Sequence, residues 1–176
     1  MIIIEKAYRY RIYPNKTQQV NINKTLGCTR FVYNYYLNKR KEVYENDKST
    51  FGYNKCCKDL TVLKTEIDWL AEAESSALQS SLRNLDNAFK DFFKAGKGYP
   101  KFKSKKTNRF SYISKCTNEN IQYLGKAIKL PKIGMVKTRN KLVPESRIIS
   151  ATVTKEPSGK YFVSILCTDV PEKTAS

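Results

Sequence analysis

The sequence predicts an α+β protein in which an N-terminal strand joins a late run of strands in a β-barrel or strongly curved sheet, with a helical segment inserted between them. Three observations carry this. Residues 1–13, "MIIIEKAYRYRIY", are rich in β-formers and alternate faces from Ala7 to Tyr13. Residues 16–94 carry helical periodicity, clearest near their end. After residue 109 the chain breaks into six short strand-like runs separated by turn residues. The first strand has no partner in the helical part, so it is expected to pair with the late strands, which makes the helices an insertion.

Each element has a local reason. In the first strand Tyr8, Tyr10 and Ile12 share one face and Arg9 and Arg11 the other. At strand spacing the two arginines lie about 7 Å apart, close to the spacing of successive phosphates. Pro14 and Asn15 end the strand. A first helix is expected over 16–26, closed by Gly27 as its C-terminal cap. A second, over 29–45, carries Phe31, Val32, Tyr33, Tyr35, Tyr36 and Leu37 on more than one face, mostly as core. A third is expected over 53–64. The last, over 75–94, has Leu78, Leu82, Leu85, Phe89 and Phe92 at steps of four and three, a single buried stripe that leaves Ser75, Ser76 and Gln79 outside it. The late strands are "RFSYISK", "NIQYL", "KAIKLP", "GMVKTR", "RIISATVTKE" and "KYFVSILCTD", the last two joined by a "PSG" hairpin turn.

Composition narrows the function. Lys and Arg number 33 against 16 Asp and Glu in 176 residues, a net charge of +17. So much like charge opposes compaction, and a polyanionic partner, nucleic acid before an anionic membrane surface, is the natural reason for it. No apolar run is long enough to span a bilayer, and no signal peptide is visible at "MIIIEKAYRY". The absence of histidine removes Ser-His and Cys-His dyads and His-ligated zinc. Cys28, Cys56, Cys57, Cys116 and Cys167 form no C-x-x-C pair and read as reduced thiols. No metal or other cofactor is expected.

Charge is concentrated. "KGYPKFKSKK" at 97–106 holds five lysines, and from Lys97 to Arg109 there are six basic residues and no acid. Lys97, Lys101, Lys103, Lys105, Lys106 and Arg109, with Arg9 and Arg11, are the candidate phosphate contacts, and Tyr99 and Phe102 the candidate stacking groups. Asp59, Glu66, Asp68, Glu72 and Glu74 cluster in sequence. Such a group can hold metals in a nuclease, but around a helix connection it reads first as a solvated acidic patch.

The stretches "YRYRIYPNKTQQ", "TLGCTRFVYNYYL", "ALQSSLRNLDNAFKDFF", "GYPKFKSKK" and "IKLPKIGMVK", in this order, resemble the N-terminal half of the TnpB (OrfB) proteins of bacterial insertion sequences, relatives of the type V CRISPR effectors. The resemblance implies an RNA-guided DNA nuclease built from a wedge β-barrel interrupted by a helical recognition domain and followed by a RuvC-like nuclease domain. Carried onto this chain, residues 1–14 and 96–170 would be wedge, 15–95 recognition domain and 171–176 a tail. Guide RNA and a target DNA duplex would be the partners. Residues matching the family's motif-reading positions are Tyr53, Ser75, Ser76, Gln79 and Thr117. Gln is suited to a base edge, bidentate to adenine.

The departure from the family is equally concrete. "CTDVPEKTAS" lacks the glycine-flanked aspartate that opens the nuclease domain, so the chain alone is expected not to cut DNA, with a separate nuclease half as a candidate partner. A cytoplasmic, nucleoid-associated location would follow. The competing reading is a DNA-binding regulator in which the helices at 16–26 and 29–45 form a helix-turn-helix about Gly27. The aromatic crowding of the second helix argues against it. A tyrosine transposase would need a histidine pair that does not exist here.

Overall fold

The computed structural model describes residues 4–105, 110–139, 144 and 146–169. Strand β1 (Ile4–Tyr13) is followed by helices α1 (Lys16–Asp47), α2 (Tyr53–Glu66) and α3 (Ser75–Ala95), with a 3₁₀ turn at Asp68–Glu72 before α3. Strands β2 (Phe110–Lys115), β3 (Gln122–Tyr123), β4 (Ala127–Leu130), β5 (Gly134–Thr138), β6 (Arg147–Lys155) and β7 (Tyr161–Asp169) complete the chain. The chain forms two compact units, residues 1–22 with 109–176 and residues 23–108.

The first unit is a seven-stranded antiparallel sheet in the order β2-β6-β7-β1-β5-β4-β3. Strand β1 runs along β7 from Ile4↔Asp169 to Ile12↔Tyr161, so the first and last strands are neighbours. Its other edge meets β5 only at Ile12↔Thr138 and Tyr13↔Lys137. The expected barrel is not formed: among the described residues β2 and β3 are open edges. With only two residues, β3 offers too short a ladder to close the sheet. The alternation is as read: Tyr161, Val163, Ile165 and Cys167 are buried, with Tyr10 and Ile12 from β1. Tyr10 stacks on Tyr123 at 4.2 Å between centroids, and burial pushes its hydroxyl pKa up to about 12. The β6–β7 turn carries Gly159 at φ 83, a left-handed conformation that a side chain would strain.

The second unit is helical. Gly27 does not end a helix. The expected helices over 16–26 and 29–45 are one helix, α1, of 32 residues. A mid-helix glycine costs about 1 kcal/mol. Burial of Leu26, Cys28, Val32, Tyr33, Tyr36 and Leu37 on either side of it outweighs that. The turn that the competing helix-turn-helix reading places at Gly27 is not formed. Helix α3 buries Leu78, Leu82, Leu85 and Phe89, and Gly96 closes it at φ 66. Ser81 Oγ donates to the Thr29 carbonyl at 2.7 Å, tying α3 to α1 in a buried position. All five cysteines are free thiols, and burial pushes Cys56 up to about 11.

Candidate nucleic-acid interface

In the helical unit the lysine-rich linker is held down at one point. The Asn34 side chain on α1 accepts from the Lys103 amide at 2.7 Å and donates to the Lys103 carbonyl at 2.8 Å. This two-bond clasp imitates a strand pairing. Lys103 Nζ lies over the Tyr33 ring, 4.3 Å from its centroid. The residue as a whole is exposed, yet its ammonium end rests on that ring, and burial there lowers its pKa. Lys101 and Lys105 are exposed and have no ion-pair partner among the described residues. Lys97 sits 3.7 Å from Asp91 in a solvated pair that holds little of its charge. Lys106 and Arg109 lie outside the described residues.

Aromatic rings accompany the lysines. Phe102 is 57% exposed and Tyr99 42%, although Tyr99 also packs edge-on against Phe89 and Phe92. Tyr99 forms one wall of an open pocket of about 390 Å³ with Tyr44, Phe51, Phe89, Phe92 and Phe93, with Arg40 beside them. Phe93 is 73% exposed there.

The candidate motif readers differ in how free they are. Gln79 is exposed on the first turns of α3, and its amide has no partner among the described residues. Ser75 is exposed and takes a 3.3 Å bond from Lys64. The Ser76 hydroxyl is committed to Glu74 at 2.5 Å. Tyr53 opens α2 half-buried, with the Arg83 guanidinium 3.6 Å from its ring centroid and its pKa raised by burial. These four belong to the helical unit. Thr117 belongs to the sheet unit, exposed in the β2–β3 loop, where its amide donates to Asn120 at 2.9 Å.

Of the acidic residues, Glu66, Asp68 and Glu72 are exposed, while Asp59 and Glu74 are engaged in local bonds. Glu74 caps α3, accepting from the Ser76 and Ala77 amides at 3.0 and 2.9 Å. Asp59 accepts from Tyr36 at 2.7 Å and Lys39 at 3.0 Å. Burial and this bond together raise the Tyr36 pKa, and the bond to Asp59 raises that of Lys39. Glu72 lies 3.6 Å from Lys24. Among the described residues no three His, Cys, Asp or Glu side chains gather as a metal site.

In the sheet unit Arg9 is paired to Glu156 at 2.7 Å and stacked on Phe162, so part of its charge is already answered. Arg11 has no acid. Its guanidinium lies 4.9 Å from the Tyr13 ring centroid, and its Nε is buried without a partner.

Asn34 and the Arg11 surroundings were not singled out from sequence. Asn34 was legible only as the last residue of the quoted "RFVYN". Its role needs a carbonyl 69 residues away.

An α+β chain of one helical and one sheet unit, with a basic, ring-lined surface, is the class this geometry defines. Comparison with known proteins names the family. The helix-turn-helix domain of the OrfB proteins of IS605-type elements matches residues 1–49. In this structure those residues hold β1 and one unbroken helix. A putative RNA-guided DNA endonuclease of Streptomyces pristinaespiralis is 30% identical over 171 residues, 94% of this chain and 42% of that protein. The putative RNA-guided DNA endonuclease InsQ of Escherichia coli K12 is 30% identical over 165 residues, 91% of this chain and 40% of that protein. Virulence protein VsdF of Salmonella dublin is 32% identical over 111 residues, 57% of this chain and 93% of that protein. The chain belongs to the OrfB/TnpB family. It spans about two fifths of the length of the endonuclease relatives it matches. Among the described residues, no helix is long and apolar enough to cross a membrane.

Proposed function

We propose that this chain is the nucleic-acid-binding part of an RNA-guided DNA endonuclease, holding guide RNA and reading a short duplex motif beside the target. The single observation that carries the reading is the clasped linker: lysines with no acid among them, anchored by Asn34 and left exposed. Folding alone has no use for such an arrangement. The named activity of the relatives supplies the partner class. In this reading residues 1–14 and 96–170 act as wedge and 15–95 as recognition domain. Lys97, Lys101, Lys103 and Lys105 take phosphates, and Tyr99 and Phe102, with the exposed Phe93, take bases. Gln79, the freest of the motif readers, contacts a base edge, with Ser75 beside it. These residues bind, and phosphodiester cleavage belongs to another part of the protein.

The test is affinity for single-stranded RNA as a function of salt. Changing Lys101, Lys103, Lys105 and Lys106 together to Gln should lower the log–log slope by roughly 3, from about 0.7 per phosphate contact. Affinity that ignores salt in the unmodified chain sinks the reading. In parallel, Gln79→Ala should cost about 1–3 kcal/mol at one or two positions of a duplex motif and leave RNA affinity unchanged. Magnesium-dependent cleavage by the purified chain would assign it the chemistry denied to it here.

A further inference from the structure

We infer that Arg11, Tyr13 and Arg139 form a seat for a single phosphate group at the end of β1. The ladder between β1 and β5 runs Tyr13↔Lys137 and Ile12↔Thr138. One step further in the same register sets Arg139 across from Arg11. Like charges directly opposite on neighbouring strands repel, and the usual remedy is a carboxylate nearby. Among the described residues there is none: the small pocket here, about 130 Å³, is walled by Tyr10, Arg11, Tyr13 and Arg139.

Two polar atoms at this pocket are also unanswered. Arg11 Nε and the Tyr13 hydroxyl are buried without a hydrogen-bond partner. A buried guanidinium N–H left unpaired is costly, and native proteins rarely leave one without an ion or water to receive it. Arg9, two residues earlier, shows the alternative, with Glu156 at 2.7 Å. Two guanidinium groups and a phenol form a donor-rich set with no carboxylate among the described residues. A tetrahedral oxyanion accepts from all three, and Arg is suited to phosphate because its planar fork meets two oxygens at once. The ligand is a phosphate, either an internal phosphodiester of the bound strand or a terminal monoester. This deepens the proposed function, on which the identity of the strand rests, but the donor set stands without it.

The experiment uses the full chain and three variants, Arg139→Gln, Tyr13→Phe and the four-lysine variant. Thermal unfolding in inorganic phosphate is compared with chloride at matched ionic strength. The unmodified chain should gain stability in phosphate, and Arg139→Gln, at an exposed position, should lose that gain while melting normally in chloride. General salting-out by phosphate acts on both proteins alike and cancels. Affinity for a short single-stranded RNA should fall about 10-fold in Arg139→Gln and about 5-fold in Tyr13→Phe, which removes a donor and no charge. A loss seen only with 5′-phosphorylated RNA assigns the seat to a terminal phosphate, and one seen equally with 5′-hydroxyl RNA assigns it to a phosphodiester. If both variants keep wild-type phosphate response and RNA affinity, a water fills the pocket and the seat is wrong, even where the four-lysine variant still flattens the salt slope. If no variant and no wild-type chain binds RNA, the proposed function falls while the phosphate melting curves still decide the seat.

Discussion

Asp86 in the helical unit and Arg11 in the sheet unit are opposite solutions to the same charge problem. Asp86 is buried, and one carboxylate serves Arg40 at 3.2 Å, Lys90 at 3.2 Å and Arg83 at 4.0 Å. Arg40 also lies over the Phe89 ring at 4.2 Å, and Arg83 over Tyr53. Here positive charge is internal bracing, answered by an acid and by ring faces. Around Arg11 two arginines share a pocket with no acid among the described residues. The difference teaches that net charge is a poor guide to where a partner binds. Cations that hold α1 to α3 are already used. Those with unanswered donors, and those of the clasped linker, are the ones a polyanion can take.

Three measurements would break or sharpen this contrast. The largest effect belongs to Asp86→Ala. It strips the carboxylate that Arg40, Lys90 and Arg83 share; Lys90 and Arg83 are about half exposed, but Arg40 and Asp86 are largely buried, and losing that pair should cost about 3 kcal/mol in urea unfolding. A change under about 1 kcal/mol would mean that the ring contacts alone brace α1 on α3. Next is Asn34→Ala, which removes both bonds to Lys103. Because the clasp is at the surface, global stability should drop by about 1 kcal/mol or less. Hydrogen exchange at the Lys103 amide should speed up markedly, and RNA affinity should weaken as the linker loses its anchor. Unchanged exchange there would show that Pro100 and the Tyr33 contact suffice. The smallest effect is Arg139→Gln in chloride. Relief of a cross-strand repulsion should leave stability the same or raise it by about 0.5 kcal/mol. A clear destabilisation would show that Arg139 braces the sheet, as Arg40 braces the helices.

The two units also differ in what their sequences disclose. The α3 stripe and the alternation of β7 are set by period, because a helix or strand that buries one face must repeat its apolar residues at 3.6 or 2. Their existence and core residues were therefore readable from the chain. The family resemblance was readable too, from ordered motifs such as "RFVYN". Gly27 was misread because a local signal for a cap was judged without the neighbours. Buried side chains before and after it keep α1 continuous, and packing energy is invisible to propensity. Openness of the sheet was likewise undecidable from strand count, since it depends on whether the edge strands β2 and β3 meet, and β3 pairs only with β4, through Gln122 and Tyr123.

Site residues divide along the same line. The charge of the lysine linker and the place of Gln79 outside the α3 stripe were legible because charge density and position outside a stripe are properties of the sequence. Which cations remain available was decided only in three dimensions. Arg9 and Arg11 stand two residues apart with the same chemistry and on the same face of β1. One meets Glu156 from the β6–β7 hairpin and the other meets Tyr13. Sequence determined that both are arginines aimed away from the Tyr10 and Ile12 core. Only the tertiary structure decided that one is paired and one is not, because a hydrogen bond is settled by distances of a few ångströms between residues far apart in the chain.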